Sequence, residues 1–150
     1  MSSPNPPISE TDPRFPSGPW TGFFLMPHTG HHRHPTELQL TFANGVMTGS
    51  GRDFVGPFTV RGKYDVADGK CYWTKRYIGK HDVFYSGYNE GRGIWGTWEI
   101  VESLGKTTGG FHIWPEAIGD PSRETLTEEA EIPAPAPIEE APVGEPLEVR

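Results

Sequence analysis

The chain has 150 residues, a formal net charge of −7 and one cysteine. A single cysteine excludes a disulfide within the chain and gives no argument for an oxidising compartment. The charge is uneven: residues 19–115 carry a net +2, far below the charge of a typical nucleic-acid-binding surface, whereas residues 116–150 carry −8.

Composition divides the chain into three parts. Residues 1–18 and 116–150 hold 11 of the 16 prolines, whereas residues 19–115 hold all five tryptophans, all five tyrosines and seven of the eight phenylalanines. We therefore predict a disordered proline-rich leader (1–18), one folded domain (19–115) and a disordered acidic tail (116–150), with order beginning near Trp20. The sequence shows neither a signal peptide nor a membrane span, so we expect a cytoplasmic protein without membrane contact.

The first half of the domain predicts four strands. Trp20 to Met26 precedes a histidine-rich loop, and Thr36 to Phe42 then alternates apolar and polar residues, as a half-buried strand does. The pair Asn44-Gly45 is typical of a two-residue hairpin turn, so Val46 to Gly51 should return antiparallel to the preceding strand. A fourth strand, Phe58 to Val66, follows a glycine-proline break.

The second half is built around the longest aromatic-rich run, Lys70 to Ile100. Its alternation predicts a three-stranded meander with joints at residues 78–80 and 89–93, and Gly109 to Trp114 predicts one more strand. About eight strands in 97 residues indicate an all-β domain, a small antiparallel meander that closes into a barrel. The interior of such a barrel is either filled by side chains or holds one small ligand.

Three glycine-spaced aromatic motifs punctuate these strands: Trp20-x-Gly22-x-Phe24, Gly51-x-Asp53-x-x-Gly56-x-Phe58 and Gly93-x-Trp95-Gly96-x-Trp98. In this spacing the domain resembles the small up-and-down β-barrels of the calycin and avidin-like group. The resemblance covers residues 19–115 and implies a small molecule bound inside the barrel mouth. The chain differs from lipocalins in having neither a signal peptide nor disulfides.

The inward face of the later strands predicts a ligand site, since aromatic and polar side chains would meet there. Our leading hypothesis is a non-enzymatic barrel that binds a small molecule or a short peptide at its mouth, and the sequence identifies no cofactor. The predicted lining is aromatic, with two polar anchors: Trp73, Tyr85, Trp98 and Phe111, together with Lys75 and His81.

Two other functions fit the same residues. A solid barrel could act as an interaction module, binding a protein partner through its surface and its acidic tail. A small enzyme could use Lys75 and His81, with Asp53 or Asp82 as the orienting carboxylate. Taken alone, Asp53 is more typical of a turn carboxylate that bonds its own backbone.

The loop after the first strand contains four histidines, His28, His31, His32 and His34, which are weak candidates for a metal site. Their spacing matches no established zinc motif, and no cysteine lies nearby. Because a polar histidine-rich loop is more often solvated than liganded, we predict no metal site here.

A run of aromatic and basic residues could stack bases on the protein surface: Tyr72, Lys75, Arg76, Tyr77 and Lys80. Three positive charges are few for such a surface. The sequence therefore places nucleic acid below a small ligand and a protein partner.

Overall fold

The computed structural model describes residues 9–122, and the compact unit that holds the barrel ends at Gly119. Eight antiparallel strands pair in chain order, and the first also pairs with the last, so the sheet closes into a barrel. This confirms the predicted all-β barrel. The strands are β1 (Gly18–Phe24), β2 (His34–Ala43), β3 (Val46–Asp53), β4 (Gly56–Tyr64), β5 (Lys70–Tyr77), β6 (Asp82–Asn89), β7 (Ile94–Glu102) and β8 (Gly105–Pro115), and a 3-10 helix, Glu116–Ile118, follows.

The hairpin between β2 and β3 has the predicted turn and register. Asn44 and Gly45 both have positive φ, 52° and 77°, which a two-residue turn of this kind requires. Ala43 pairs with Val46, and the ladder continues to Thr36 opposite Asp53. The alternation of β2 therefore directs its apolar side chains into the barrel.

Alternate residues of every strand form one aromatic-rich core. Glycines give the larger rings room. At Gly109, a Cβ would lie only 2.7 Å from the indole of Trp98 and closer still to the carbonyl oxygen of Leu25. Glycine at this mid-strand position therefore allows a neighbouring ring and backbone to approach closely. The largest fully buried side chains are Trp20, Phe15, Phe42, Phe58, Leu40, Met47, Ile94, Asn89 and Cys71.

Residues 9–17, which we call the N-terminal plug, close one end of the barrel. Phe15 is fully buried, with its ring centroid 4.8 Å from that of Tyr64 and 5.5 Å from that of Phe42. Arg14 donates to the carbonyl oxygens of Val66 (2.6 Å) and Asn89 (3.2 Å). The expectation that order begins near Trp20 is wrong, because one phenylalanine among the prolines packs into the barrel end.

The two ends of the chain are described only in part. Residues 1–8 of the predicted leader and residues 123–150, most of the predicted acidic tail, lie outside the described range. Among residues 9–122, no helix is both long and apolar enough to cross a membrane.

Candidate functional site

The end of the barrel opposite the plug, which we call the open end, carries residues 25–33, 54–55, 78–81 and 103–104 between its strands. Three of these connections present exposed apolar side chains, Phe54, Ile78 and Leu104, and none of the four contains a carboxylate. The connections at the plugged end, in contrast, contain Asp65, Asp68 and Glu90. The open end is therefore the less acidic of the two and presents exposed apolar side chains.

A cavity of about 170 Å³ lies at the open end. Its walls are largely apolar, and several of its outer residues are only partly buried. The lining residues are Phe24, Met26, Val55, Tyr77, His81, Val83, Tyr85, Trp98 and Ile100. A small molecule in this cavity would touch aromatic and aliphatic side chains and no carboxylate, lysine or arginine.

Behind these rings lies a buried ion pair. Lys75 Nζ donates to Asp53 Oδ2 at 2.8 Å, and the Tyr77 hydroxyl donates to the same oxygen at 2.7 Å. The other oxygen, Oδ1, accepts from the Val55 backbone N–H at 3.0 Å. The side chains of Lys75 and Asp53 are only 3% and 0% exposed. Because the carboxylate accepts three hydrogen bonds, this trio is satisfied within the protein itself.

Aromatic rings surround the ammonium group of Lys75 on several sides. Its Nζ lies 4.5 Å from the ring centroid of Phe58, 4.9 Å from those of Phe24 and Tyr77, and 5.2 Å from that of Tyr85. Burial lowers the pKa of Lys75, and the charge and hydrogen bond of Asp53 oppose that shift. The cage of rings compensates part of the lost hydration by cation–π attraction.

Tyr85 offers the cavity a polar group. Burial raises the pKa of Tyr85, and the nearby charge of Asp53 raises it further, so the hydroxyl stays protonated. Its ring stacks on Trp73, with centroids 5.1 Å apart and planes 8° from parallel. Within residues 9–122 we find no hydrogen-bond partner for the hydroxyl, so it is available to a ligand that reaches the inner wall.

The six predicted ligand residues fall into three positions. Tyr85, Trp98 and His81 line the cavity. Trp73 and Phe111 lie against Tyr85 in the layer beneath, with Phe111 edge-on to both other rings. Lys75 is behind the wall, in the ion pair. The structure thus places three of the six in the cavity wall, two in the layer beneath it and the sixth in the buried ion pair.

The residues of the enzymatic hypothesis are also placed. Both groups lie against the Tyr77 ring: the Lys75 Nζ is 4.9 Å and the His81 ring centroid 5.5 Å from its centroid. Of the two candidate carboxylates, Asp53 bonds Lys75, whereas Asp82 pairs with Arg76 on the outer surface. The amine is therefore held by a carboxylate and screened from the cavity by rings.

The four loop histidines do not converge on one point. His34 stacks on Phe24, with centroids 5.3 Å apart, and its ring lies 5.1 Å from Phe54, so it belongs to the aromatic edge of the mouth. His32 meets His34 edge-on at 4.6 Å, while His28 and His31 are exposed. Within residues 9–122, no group of three or more His, Cys, Asp or Glu side chains could hold a metal ion.

Asp53 is the site residue that the predicted lining leaves out. Its Oδ1 makes the expected turn hydrogen bond, but its Oδ2 holds Lys75, which is 22 residues away in the sequence. The alternation of β3 contains the signal, because Met47, Gly49, Gly51 and Asp53 share one face opposite the inward residues of β2. Extending that strand by two residues would have placed the carboxylate inside the barrel.

Comparison with protein-family models, with curated proteins and with solved structures found no match. The eight-stranded closed barrel is the feature that this chain shares with calycin and avidin-like proteins, and membership of that group stays a prediction.

Proposed function

We propose that the open end of the barrel binds a small apolar molecule, or a short peptide that inserts one apolar side chain. The observation that carries this proposal is the difference between the two ends. The chain's own N-terminal plug fills one end with Phe15, whereas the other keeps an apolar cavity with an unpartnered tyrosine hydroxyl in its wall.

The size of the cavity indicates the size of the group that enters it. An engineered apolar cavity of about 150 Å³ in another protein stays dry and binds benzene. The present cavity, about 170 Å³, is similar and suits one aromatic ring or a branched aliphatic group. Larger parts of a ligand would remain outside, against Phe54 and the histidines of the open end.

The chemistry of the wall favours a ring with one polar substituent. An apolar ring packs against Val83 and Trp98, while a hydroxyl or N–H group can bond the Tyr85 oxygen. Phenol and indole should therefore bind more tightly than toluene, which leaves that hydroxyl without a partner. Ligands of this size rarely bind tightly, and we expect dissociation constants on the order of 0.1–1 mM.

The test is a titration of the full chain with indole and with phenol. Changes in the amide and methyl NMR chemical shifts report binding. Ile100→Trp should abolish the shifts, because Ile100 lines the cavity and the larger ring would fill it. Val101→Trp is the matched control, since the neighbouring side chain is exposed on the outer surface and its replacement should leave binding unchanged.

A cavity-filling variant is a cleaner test than Trp98→Ala. Trp98 is buried and donates from Nε1 to the Leu25 carbonyl oxygen at 2.9 Å. Its replacement by alanine would lower the free energy of unfolding by roughly 3–5 kcal/mol, so a loss of binding could not be separated from a loss of folding. If neither probe shifts the resonances of Val83, Tyr85 and Trp98, or if Ile100→Trp and Val101→Trp bind alike, the proposal is wrong.

A further inference from the structure

The outer face of the barrel carries a row of aromatic side chains that the ligand site does not use. Tyr72, Phe84, Tyr88 and Trp95 are each about half exposed, on strands β5, β6, β6 and β7. Outward positions of a barrel in water are usually polar, so four neighbouring rings on one face are unusual.

Strand register makes these rings a continuous row. Tyr88 is directly opposite Trp95. Tyr72 is opposite Ser86, which lies two residues from both Phe84 and Tyr88, so the Tyr72 ring is the diagonal neighbour of both. Diagonal neighbours in a sheet are about 7–8 Å apart, within reach of aromatic side chains.

Three cations border the row, and none has an ion-pair partner among residues 9–122. Lys63 is directly opposite Tyr72, Arg61 is opposite Thr74, and Lys70 is opposite Tyr88. Of the carboxylates nearby, Asp82 pairs with Arg76 at 3.0 Å, Glu99 pairs with Lys106 at 3.3 Å, and Glu90 accepts a hydrogen bond from Trp95 Nε1 at 3.3 Å. The face therefore has an excess of positive charge beside exposed rings.

The surface between these groups is concave. Two depressions of about 370 and 360 Å³ lie on the outer face of β4, β5 and β6, and both are lined by Arg61, Thr74 and Phe84. Tyr72 and Lys63 border the first, and Arg76 borders the second. Together they form a groove with a cation near its middle and aromatic rings beside it.

We propose that this groove binds single-stranded nucleic acid, with bases stacked on Tyr72 and Phe84 and phosphates against Arg61, Lys63 and Lys70. Unpaired bases present the flat faces that an aromatic row can stack, and the phosphate backbone supplies the negative charge that the cations lack. This surface has no more positive charges than the basic run in the sequence. Its difference is the exposed aromatic row: Lys75 and Tyr77 of that run are buried, whereas Tyr72 and Phe84 are about half exposed and supply the stacking surface.

The test measures binding of fluorescent single-stranded 12-mers, oligo-dT and oligo-U, to the full chain by anisotropy at several salt concentrations. Three phosphate contacts predict that log K falls against log salt with a slope of about −2. Tyr72→Ala and Phe84→Ala should each weaken binding roughly tenfold, since each removes a stacking ring. Lys63→Gln should make the slope shallower by about 0.7.

Matched controls lie elsewhere on the surface. Phe54→Ala removes an exposed ring and Lys80→Gln an exposed cation, both at the open end, and both variants should bind the oligonucleotides like the parent chain. No binding in 50 mM salt, equal binding by the Tyr72→Ala variant, or equal binding of a poly-glutamate peptide would each overturn the proposal. The last result would identify an acidic protein segment as the partner.

Discussion

Asp53, Lys75 and Tyr77 show how one inward carboxylate determines the chemistry of the barrel interior. Two of the three groups are of types that are seldom buried, and they are tolerated because each charge has a partner. A buried ion pair of this kind contributes little net stability relative to well-packed apolar residues, but removing one partner leaves an uncompensated charge. The pair therefore acts to hold Lys75 within its ring cage.

Asp53→Ala should lower the free energy of unfolding by about 3–5 kcal/mol, because Lys75 would remain buried without its carboxylate. Urea denaturation followed by tryptophan fluorescence measures the change. Asp82→Ala is the control, since it breaks an ion pair on the surface in which Arg76 is 69% exposed, and it should leave the urea midpoint unchanged.

The combined variant Asp53→Leu, Lys75→Met separates charge from packing. It should recover a large part of the stability lost in Asp53→Ala, because neither charge then remains buried. A double variant as unstable as Asp53→Ala would contradict this view of the pair.

At this scale, the sequence indicates which side chains point inward but not which of them touch. Alternation alone places Lys75, Tyr85 and Trp98 on inner faces, as the structure confirms. The contact between Asp53 and Lys75 depends on the stagger of β3, β4 and β5 around the barrel, because the two residues are on non-adjacent strands. Local pattern holds no information about that stagger.

The N-terminal plug shows the same limit at the level of elements. Its contacts are specific: the Asn89 side-chain amide donates to the Arg14 carbonyl oxygen at 2.6 Å, and the Tyr64 hydroxyl donates to Glu10 at 2.6 Å. Hydrogen bonds from the side chain and backbone of Arg14 lower the pKa of Asp12 to about 2. Asp12 therefore stays ionised, with its contact to Arg14 intact, at any moderately acidic pH.

Phe15→Ala should lower the free energy of unfolding by about 3–5 kcal/mol, since a fully buried ring would be lost from the barrel end. Thr11→Ala, at an exposed plug position, should have no measurable effect. Chemical denaturation of both variants measures the difference. A Phe15→Ala loss no larger than that of Thr11→Ala would mean that the plug does not contribute to the fold.

Strands and turns were predictable because their signals are local, whereas the plug was not. The Asn44-Gly45 turn and the alternation of β2 lie within ten residues of chain, and both are confirmed. Proline-rich composition predicted disorder for the plug, but Phe15, Arg14 and Glu10 contact residues far away in the sequence and dock it on the barrel end. Such docking depends on tertiary contacts that composition does not report.

For the whole molecule, the two ends of the barrel account for the proposed activity. One end is sealed by the chain itself, and the other exposes Phe54, Ile78 and Leu104 around an apolar cavity. The aromatic groove is on the outer face of β4, β5 and β6, whereas the cavity is lined by inward side chains such as Tyr77 and Val83, so ligand and nucleic acid would occupy separate surfaces. The number of strands and their closure follow from the sequence, but which end stays open depends on where the plug docks.

Diffraction from crystals pressurised with xenon tests the cavity most directly, because xenon enters apolar cavities of this size without needing a specific ligand. We expect an anomalous peak between Val83, Tyr85 and Trp98, and no such peak in Ile100→Trp crystals. Parent crystals with no xenon between these residues, or with side chains filling that space, would contradict a ligand-binding mouth.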